Sequence, residues 1–235
     1  MEKKMSSIPL LVTPPQLCSY LADRESQSAF VSPNLTLDTS LYSRLIEHGF
    51  RRSGDDVYSP RCSDCSECIA CRVPVQQFKP TRSQKRCFKK NKPTTVNVQP
   101  ALFKQEHYDL YMRYQHHKHP ESGMASSSPD EYINFLTSSW CKTCFVEFHI
   151  NEQLVAVSIV DFLDHSLSAV YTFFDPDFSS YSLGVYAVLW QIEQAQQLEL
   201  EHVYLGFWIA NCQKMAYKAQ YHPLEGFINH HWTIV

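Results

Sequence analysis

The apolar positions of this 235-residue chain follow two periods, one helical and one alternating. At helical spacing, Leu41, Tyr42, Leu45 and Ile46 form one face behind a cap at Asp38 or Thr39, and Gly49 ends the run. Phe50 to Tyr58 reads as a hairpin turning at Ser53 to Asp56. Arg72 to Phe78 alternates as a strand, with Pro74 placing it at a sheet edge or a strand start. A helix begins at Thr81 and closes before Pro93, and Thr95 to Pro100 is a second β candidate. The next helix, Gln105 to about His117, presents Tyr108, Tyr111, Met112 and Tyr114. After a serine-rich loop over Lys118 to Pro129, Asp130 opens a helix through Tyr132, Phe135 and Leu136.

From Cys144 the alternation takes over. Phe145–His149, Leu154–Leu163 and Leu167–Phe174 predict a three-strand meander with turns at Asn151–Glu152 and Asp164–His165. Ser182–Gly184 opens a helix with the stripe Val185, Val188, Leu189 and Ile192. A strand over Val203–Ile209 follows, and then a short helix over Cys212–Tyr217. Strands and helices in that order, on a mostly antiparallel sheet, predict the α+β class. Cysteine and charge usage both change near residue 105, which suggests a division into 1–104 and 105–235.

Composition supports a real core, with 44% hydrophobic and 13% aromatic residues, and six glycines leave little material for Gly-rich phosphate loops. The opening fifteen residues carry too short an apolar run, interrupted by Pro9, for a secretory signal. No stretch reaches the ~20 apolar residues of a membrane helix. Nine cysteines without an export signal suggest reduced thiols or metal ligands in a cytoplasmic protein.

A net charge of −3 argues against a nucleic-acid partner until its distribution is read. Between Cys68 and Gln105 stand nine Lys or Arg residues and no Asp or Glu. The remaining 12 basic and 24 acidic residues sum to −12. Charge separated this sharply points to an anionic partner, and the phosphate backbone of a nucleic acid fits the length of the run. Arg72, Arg82 and Arg86 differ from the lysines around them, because a planar guanidinium grips a carboxylate with two parallel bonds.

Directly ahead of that run, Cys62, Cys65, Cys68 and Cys71 recur at every third position, which is a metal- or cluster-ligand spacing. Four ligands within ten residues strain the wrap around one ion. Three of them with a remote fourth, Cys87 or the pair Cys141/Cys144, would be easier, and buried free thiols are the alternative. The cluster His116, His117 and His119 runs into Pro120 and reads as a polar loop, with His119 a possible substrate contact. Tyr171–Tyr186 joins a strand end, an acidic turn and a helix start, where backbone N–H groups can meet a ligand.

Taken together, YSPRCSDCSECIACRVPV, FKPTRSQKR, LYMRYQHHKHPESGM, YTFFDPDFSSYSLGVYAVLWQIE and GFWIANCQKMAYKAQYHP resemble the aminoacyl-tRNA–protein transferase family. Their order covers some 170 residues, and the chain length is similar to the bacterial members, which are aspartate/glutamate leucyltransferases. The resemblance implies a GNAT-like acyltransferase fold in 105–235, as the aminoacyl-transfer domain. It implies acceptor recognition by the Cys-rich, basic 1–104. The acetyltransferase pyrophosphate loop is absent, and Leu183-Gly184-Val185 stands in its place, which suits an aminoacylated tRNA end better than acetyl-CoA. Eukaryotic relatives are described as metal- or cluster-binding, so zinc or an iron–sulfur cluster at Cys62, Cys65, Cys68 and Cys71 is an expectation, with no cofactor required for transfer itself.

The implied reaction moves leucine from leucyl-tRNA to proteins with N-terminal Asp or Glu, which makes an N-degron. The donor ester is already activated, so no triad is expected and none is visible. Asp175, Tyr171 or Tyr186, or the ribose 2′-OH, would assist proton removal. Arg72, Arg82, Arg86 and His119 are the expected acceptor contacts. Lys85, Lys89, Lys90, Ser182, Leu183, Gly184, Lys214 and Lys218 are the expected tRNA and aminoacyl contacts. The other readings are an arginyl donor, a CoA-dependent N-acyltransferase and a non-catalytic RNA-binding module.

Overall fold

A computed structural model describes residues 8–235. Part of the segment read for a secretory signal, residues 1–7, lies outside the described residues. In chain order the strands are β1 Leu10–Val12, β2 Gln16–Leu17, β3 Glu25–Ser26, β4 Ser28–Val31, β5 Arg51–Ser53, β6 Asp56–Pro60, β7 Ile69–Pro74 and β8 Thr95–Pro100. They continue with β9 Thr143–Ile150, β10 Gln153–Phe162, β11 Ser166–Phe174, β12 His202–Trp208, β13 Glu225–Ile228 and β14 His231–Ile234. The helices are α1 Thr39–Glu47, α2 Arg82–Lys90, α3 Gln105–Lys118, α4 Pro129–Leu136, α5 Leu183–Gln197 and α6 Gln213–Ala216.

Eight strands form one sheet in the order β14-β13-β7-β12-β11-β10-β9-β8. Every pairing in it is antiparallel except β11 with β12, which α5 joins by a crossover. The expected α+β class and the strand–helix–strand order therefore hold. Alternation along the strands divides the core in two. Val146, Phe148 and Ile150 face the side covered by α5 and by Cys87 of α2. Phe145, Val157, Ile159 and Phe173 face the side covered by α3 and α4. The sheet crosses the expected boundary at 104/105, because β7 and β8 come from the first segment and pair with strands of the second.

Local signals explain the helix ends. Asp38 caps α1 by accepting from the Leu41 N–H at 2.7 Å, and Gly49 follows the helix at φ +82°. Thr81 with Gln84 forms a capping box on α2. Ser128 with Glu131 does the same for α4, so that helix opens at Pro129, one residue before the expected Asp130. Strand β7 corrects a second expectation. It lies between β12 and β13, inside the sheet, and Pro74 is its last residue, past the final pair with β13 at Arg72. A proline there removes no ladder bond to β13. The β13–β14 hairpin was not expected from sequence; Asn229 and His230, at φ +50° and +64°, form its two-residue turn.

The smaller sheet, in the order β1-β4-β6-β5, packs with α1 over its own apolar cluster, which includes Tyr204 of β12. Its firmest tie to the large sheet is Arg52 of β5. The guanidinium grips Asp161 of β10 from Nε at 2.7 Å and Nη2 at 2.6 Å. Its remaining donors reach the carbonyls of Gly54, Thr137 and Leu136 and the Thr143 hydroxyl. Both side chains are fully buried. Removing one partner of such a pair strands the other charge. Arg52→Met should therefore cost about 3–5 kcal/mol in urea unfolding, and a loss below about 1 kcal/mol would show the pair to be dispensable.

Candidate active site at the parting of two strands

Strands β11 and β12 pair over only three residues, Ser166 with His202, Leu167 with Val203 and Ser168 with Tyr204. Beyond that point both continue, β11 against β10 as far as Phe174 and β12 against β7 as far as Trp208, and no ladder joins them. The fork so opened faces the N-terminus of α5. Carbonyls along its edges lose their strand partners and are met by side chains instead. Arg51 Nη2 donates to the Ala169 carbonyl at 2.7 Å. Lys218 Nζ donates to the Phe207 carbonyl at 2.5 Å. Gly206, at φ +83°, carries a bulge in β12 and lets that strand pass flat against the Arg51 guanidinium.

Around the mouth stand residues from α3 and the C-terminal segment. The Tyr114 ring meets Phe174 of β11 at 5.0 Å between centroids and His119 at 6.0 Å. His119 is half-buried, and burial followed by the Lys214 and Lys118 charges holds its pKa below the usual imidazole value. It is thus a neutral group beside the exposed Lys214, not a cation for a carboxylate.

At the start of α5, Ser182 takes a left-handed conformation, φ 54° and ψ 46°, and its side chain caps nothing. The first N–H groups of the helix, on Leu183 and Gly184, therefore have no side-chain cap. Gly184 packs against Phe174, whose Cε1 would lie 3.2 Å from a Cβ there. Helix α2 reaches this point: Asn91 donates to the Tyr181 carbonyl at 2.8 Å, and Lys90 lies 5.2 Å over the Tyr181 ring.

The three residues expected to assist proton removal do not converge. Tyr171 lies on the α3/α4 face of the sheet and Tyr186 on the α2/α5 face. Burial raises both phenol pKa values, so each stays protonated at neutral pH. Tyr171 also accepts from Gln115 Nε2 at 2.8 Å. Asp175 is buried with both oxygens engaged, by Arg113 at 2.9 and 3.0 Å and by the Asp177 N–H at 3.0 Å. That geometry makes Asp175 a brace between α3 and the turn before α5.

The expected acceptor arginines also separate. Arg72 is committed to Glu225 at 2.7 Å, donates to the Tyr204 hydroxyl at 3.2 Å and lies 4.2 Å over the Trp232 ring. No charge is left free on it. Arg82 and Arg86 are exposed on α2, in line with Lys85, Lys89 and Lys90, and among the described residues no carboxylate pairs with any of the five. Lys218, expected on a phosphate-tracking surface, is instead 5% exposed.

The cysteines regroup as well. Cys71 is buried in the core on β7. Cys62, Cys65 and Cys68 stay half-buried in the β6–β7 loop, and two cysteines from elsewhere act on Cys68: Cys18, from the turn between β2 and β3, and to a lesser degree the buried Cys212 ahead of α6. Burial, followed by the thiols of Cys62, Cys18 and Cys65, pushes the Cys68 thiol up to about 12. Backbone N–H groups already point at two of the sulfurs, from Tyr20 to Cys18 and from Gln27 to Cys62, both at 3.5 Å. Cys87 and Cys141 are buried elsewhere, in the α2/α5 and α1 clusters. Among the described residues, the ligand-type atoms that gather within 4.8 Å are those of Glu106, His107 and Glu147, where Lys104 already supplies the cation.

Two family models match the chain: arginine-tRNA-protein transferase, N terminus, over residues 16–86, and its C terminus over residues 106–228. The chain belongs to the arginine-tRNA-protein transferase family. The two matches leave β8 between them, so the sheet of this transferase is assembled from both. An aspartate/glutamate leucyltransferase of Nitrosococcus oceani is 47% identical over 225 residues, covering 95% of this chain and 94% of that protein. The namesake of Pseudomonas aeruginosa is 44% identical over 230 residues, covering 98% of each. Among solved structures, FemX overlays at a TM-score of 0.49 with 8% identity, over 81% of this chain and 77% of FemX. Within the described residues of this transferase, no helix is long and apolar enough to cross a membrane.

The fork makes a pH prediction. Burial, and the Arg51 charge after it, lower the Lys218 pKa from 10.5 to about 8, against an opposing effect of Cys71. Between those values the unfolded chain binds a proton that the folded one has released, so this residue adds stability as pH rises from about 8 and loses it as pH falls. The stability difference between the native protein and Lys218→Met should thus shift in favour of the native protein across that window. Parallel urea curves at pH 7.5, 9 and 10 check it, and a constant difference contradicts it.

Proposed function

We propose that this transferase moves leucine from leucyl-tRNA to the α-amine of proteins that begin with Asp or Glu. The observation that carries the donor half is the acid-free exposed face of α2, which ends against the uncapped start of α5 at the mouth of the fork. Its cations suit the tRNA backbone, and the free N–H groups of Leu183 and Gly184 suit the aminoacyl ester end. The relatives' names favour leucine over arginine and Asp or Glu over other acceptors.

In the reaction, the neutral α-amine attacks the ester carbonyl, a C–N bond forms, and the C–O bond to the ribose breaks. One amine proton leaves with the departing ribose oxygen, directly or through the neighbouring 2′-OH. An α-amine has a pKa near ~7.7–8.0, so a neutral fraction is present without a strong base. The unsuitability of Asp175, Tyr171 and Tyr186 as bases agrees with this route. The protein's part is to hold amine and ester together, which contributes up to ~7–11 kcal/mol in favourable cases.

Mass analysis of peptides beginning Asp, Glu or Ala, incubated with leucyl- or arginyl-tRNA, tests the reading: leucine should be added to the first two peptides alone. Transfer should fall steeply with added salt, and Lys85, Lys89 and Lys90 changed together to Ala should flatten that dependence. A flat salt response in the native protein would remove α2 from the tRNA contact.

For the cysteines we propose a four-thiolate centre of Cys18, Cys62, Cys65 and Cys68, with Cys71 outside it. The donor types and the N–H groups aimed at Cys18 and Cys62 suit zinc or an iron–sulfur cluster; the sulfurs do not gather within 4.8 Å as they stand, so binding would draw the two loops together. Such a group would supply a structural crosslink between the β2–β3 turn and the β6–β7 loop. Zinc and iron content of purified protein should fall in Cys18→Ser and stay unchanged in Cys71→Ser. The reverse result would restore the run of four.

A further inference from the structure

Among the described residues, two cations at the fork are held without a counter-ion: Arg51 on one carbonyl, and Lys218 on one carbonyl, the Met215 sulfur at 3.6 Å and the Tyr217 ring at 5.8 Å. Arg51 is 7% exposed and Lys218 5%. They approach the same opening from opposite edges, Arg51 at Ala169 of β11 and Lys218 at Phe207 of β12. Arg51 Nη1 is buried with no hydrogen-bond partner. Among the described residues, no carboxylate forms an ion pair with either side chain. Of the groups around Lys218, Cys71 acts on it first and Arg51 next; with the Cys71 thiol pushed up to about 11 by burial, the neighbour that carries a charge at neutral pH is the Arg51 cation.

Satisfying two strand carbonyls does not require this arrangement. A neutral amide donates to a carbonyl equally well without the cost of burying a charge. Arg52, one residue away, shows what a structural arginine looks like in this fold: a carboxylate on one side and every other edge satisfied. Arg51 and Lys218 lack that anion, and they flank the place where the β11–β12 ladder ends.

We propose that Arg51 and Lys218 form the pocket for the acidic side chain of the acceptor's N-terminal residue. The proposal rests on the reading that acceptors begin with Asp or Glu. A side chain at the end of a polypeptide can reach groups this deep, whereas a phosphodiester continues on both sides and is better met by the exposed cations of α2. Asp or Glu entering the fork cancels one of the two charges, sits between both cations and gives Arg51 Nη1 its missing acceptor. Asn or Gln, of nearly the same shape, would leave both charges buried and unpaired. The preference for acidic residues then arises chiefly from what the neutral analogues fail to relieve.

Single-turnover and steady-state transfer to peptides beginning Asp, Asn, Glu or Gln tests this in the native protein, Arg51→Met, Arg51→Lys and Lys218→Met. Leucyl-tRNA affinity and urea unfolding are measured alongside. The Asp-over-Asn ratio in kcat/KM should shrink roughly 10- to 100-fold in Arg51→Met, mostly through KM for the acidic peptide. Arg51→Lys should keep part of the ratio, and leucyl-tRNA affinity should not change. Lys218→Met, which removes a buried charge, gives the same reading if Arg51→Met does not fold. An unchanged ratio in a folded, active variant overturns the pocket and leaves the proposed function standing. An unchanged ratio with weakened leucyl-tRNA binding assigns the pair to the RNA and also overturns it. A native protein that transfers to no acidic peptide overturns the functional reading and this proposal with it.

Discussion

The Arg52–Asp161 pair sets where everything near the fork can lie. It fixes the short strand β5 against β10, and the Gly54 N–H bound to the Phe135 carbonyl at 2.9 Å fixes the turn after it. Successive side chains on a strand point to opposite sides. With Arg52 locked into its carboxylate, Arg51 has to project the other way, onto Ala169 and into the gap between β11 and β12. Two adjacent arginines of equal charge and similar burial thus acquire opposite characters. One is a fully satisfied bolt, and the other is a charge without a counter-ion.

Much of the fold was legible because its signals are local. The meander from Thr143 to Phe174 follows from alternation over strands of eight to ten residues. Helices α1 and α2 follow from Asp38 and Thr81 at their starts. The features that escaped were those that depend on partners distant in sequence. Pro74 suggests an edge when only β7 is considered; its interior place becomes clear once β13, some 150 residues later, pairs short of it. The same holds for the 104/105 boundary. Composition does change there, yet hydrogen bonding ignores it, since β8 pairs with β9 and β7 with β12.

The site was less legible than the fold, for a related reason. Sequence counts charges without revealing which are already paired. By sequence Arg72 is one more guanidinium of the basic run; in the fold Glu225 and Trp232 occupy it. Lys218, expected with Lys214 among the tRNA contacts, lies buried in the fork. Cys18, a lone cysteine forty-four residues before Cys62, carried no spacing signal at all, whereas Cys71 had the right spacing and the wrong place. One signal did exist, for the fork's own arginine: the neighbouring pair Arg51-Arg52 inside an expected hairpin is unusual, since consecutive strand residues cannot both face water on a sheet packed on one side.

That Asp175, Tyr171 and Tyr186 do not converge agrees with the chemistry proposed for the site. An aminoacyl ester is energetically ready to acylate an amine, and the amine is partly neutral at physiological pH. What remains hard is selecting one terminus from all those in a cell, and holding it at the ester while water is kept out. Buried charge suits the first task, because its discrimination comes from desolvation and needs no motion at the reacting atoms. Exposed charge suits the other partner, because a tRNA must be gathered over a long surface and then released. The chain keeps the two kinds of cation apart, five along α2 and two within the fork, and joins them where Lys90 and Asn91 meet Tyr181 ahead of α5. Under the proposed assignment, that separation would let acceptor selectivity and tRNA affinity be set by different residues, although the two ligands meet at a single bond.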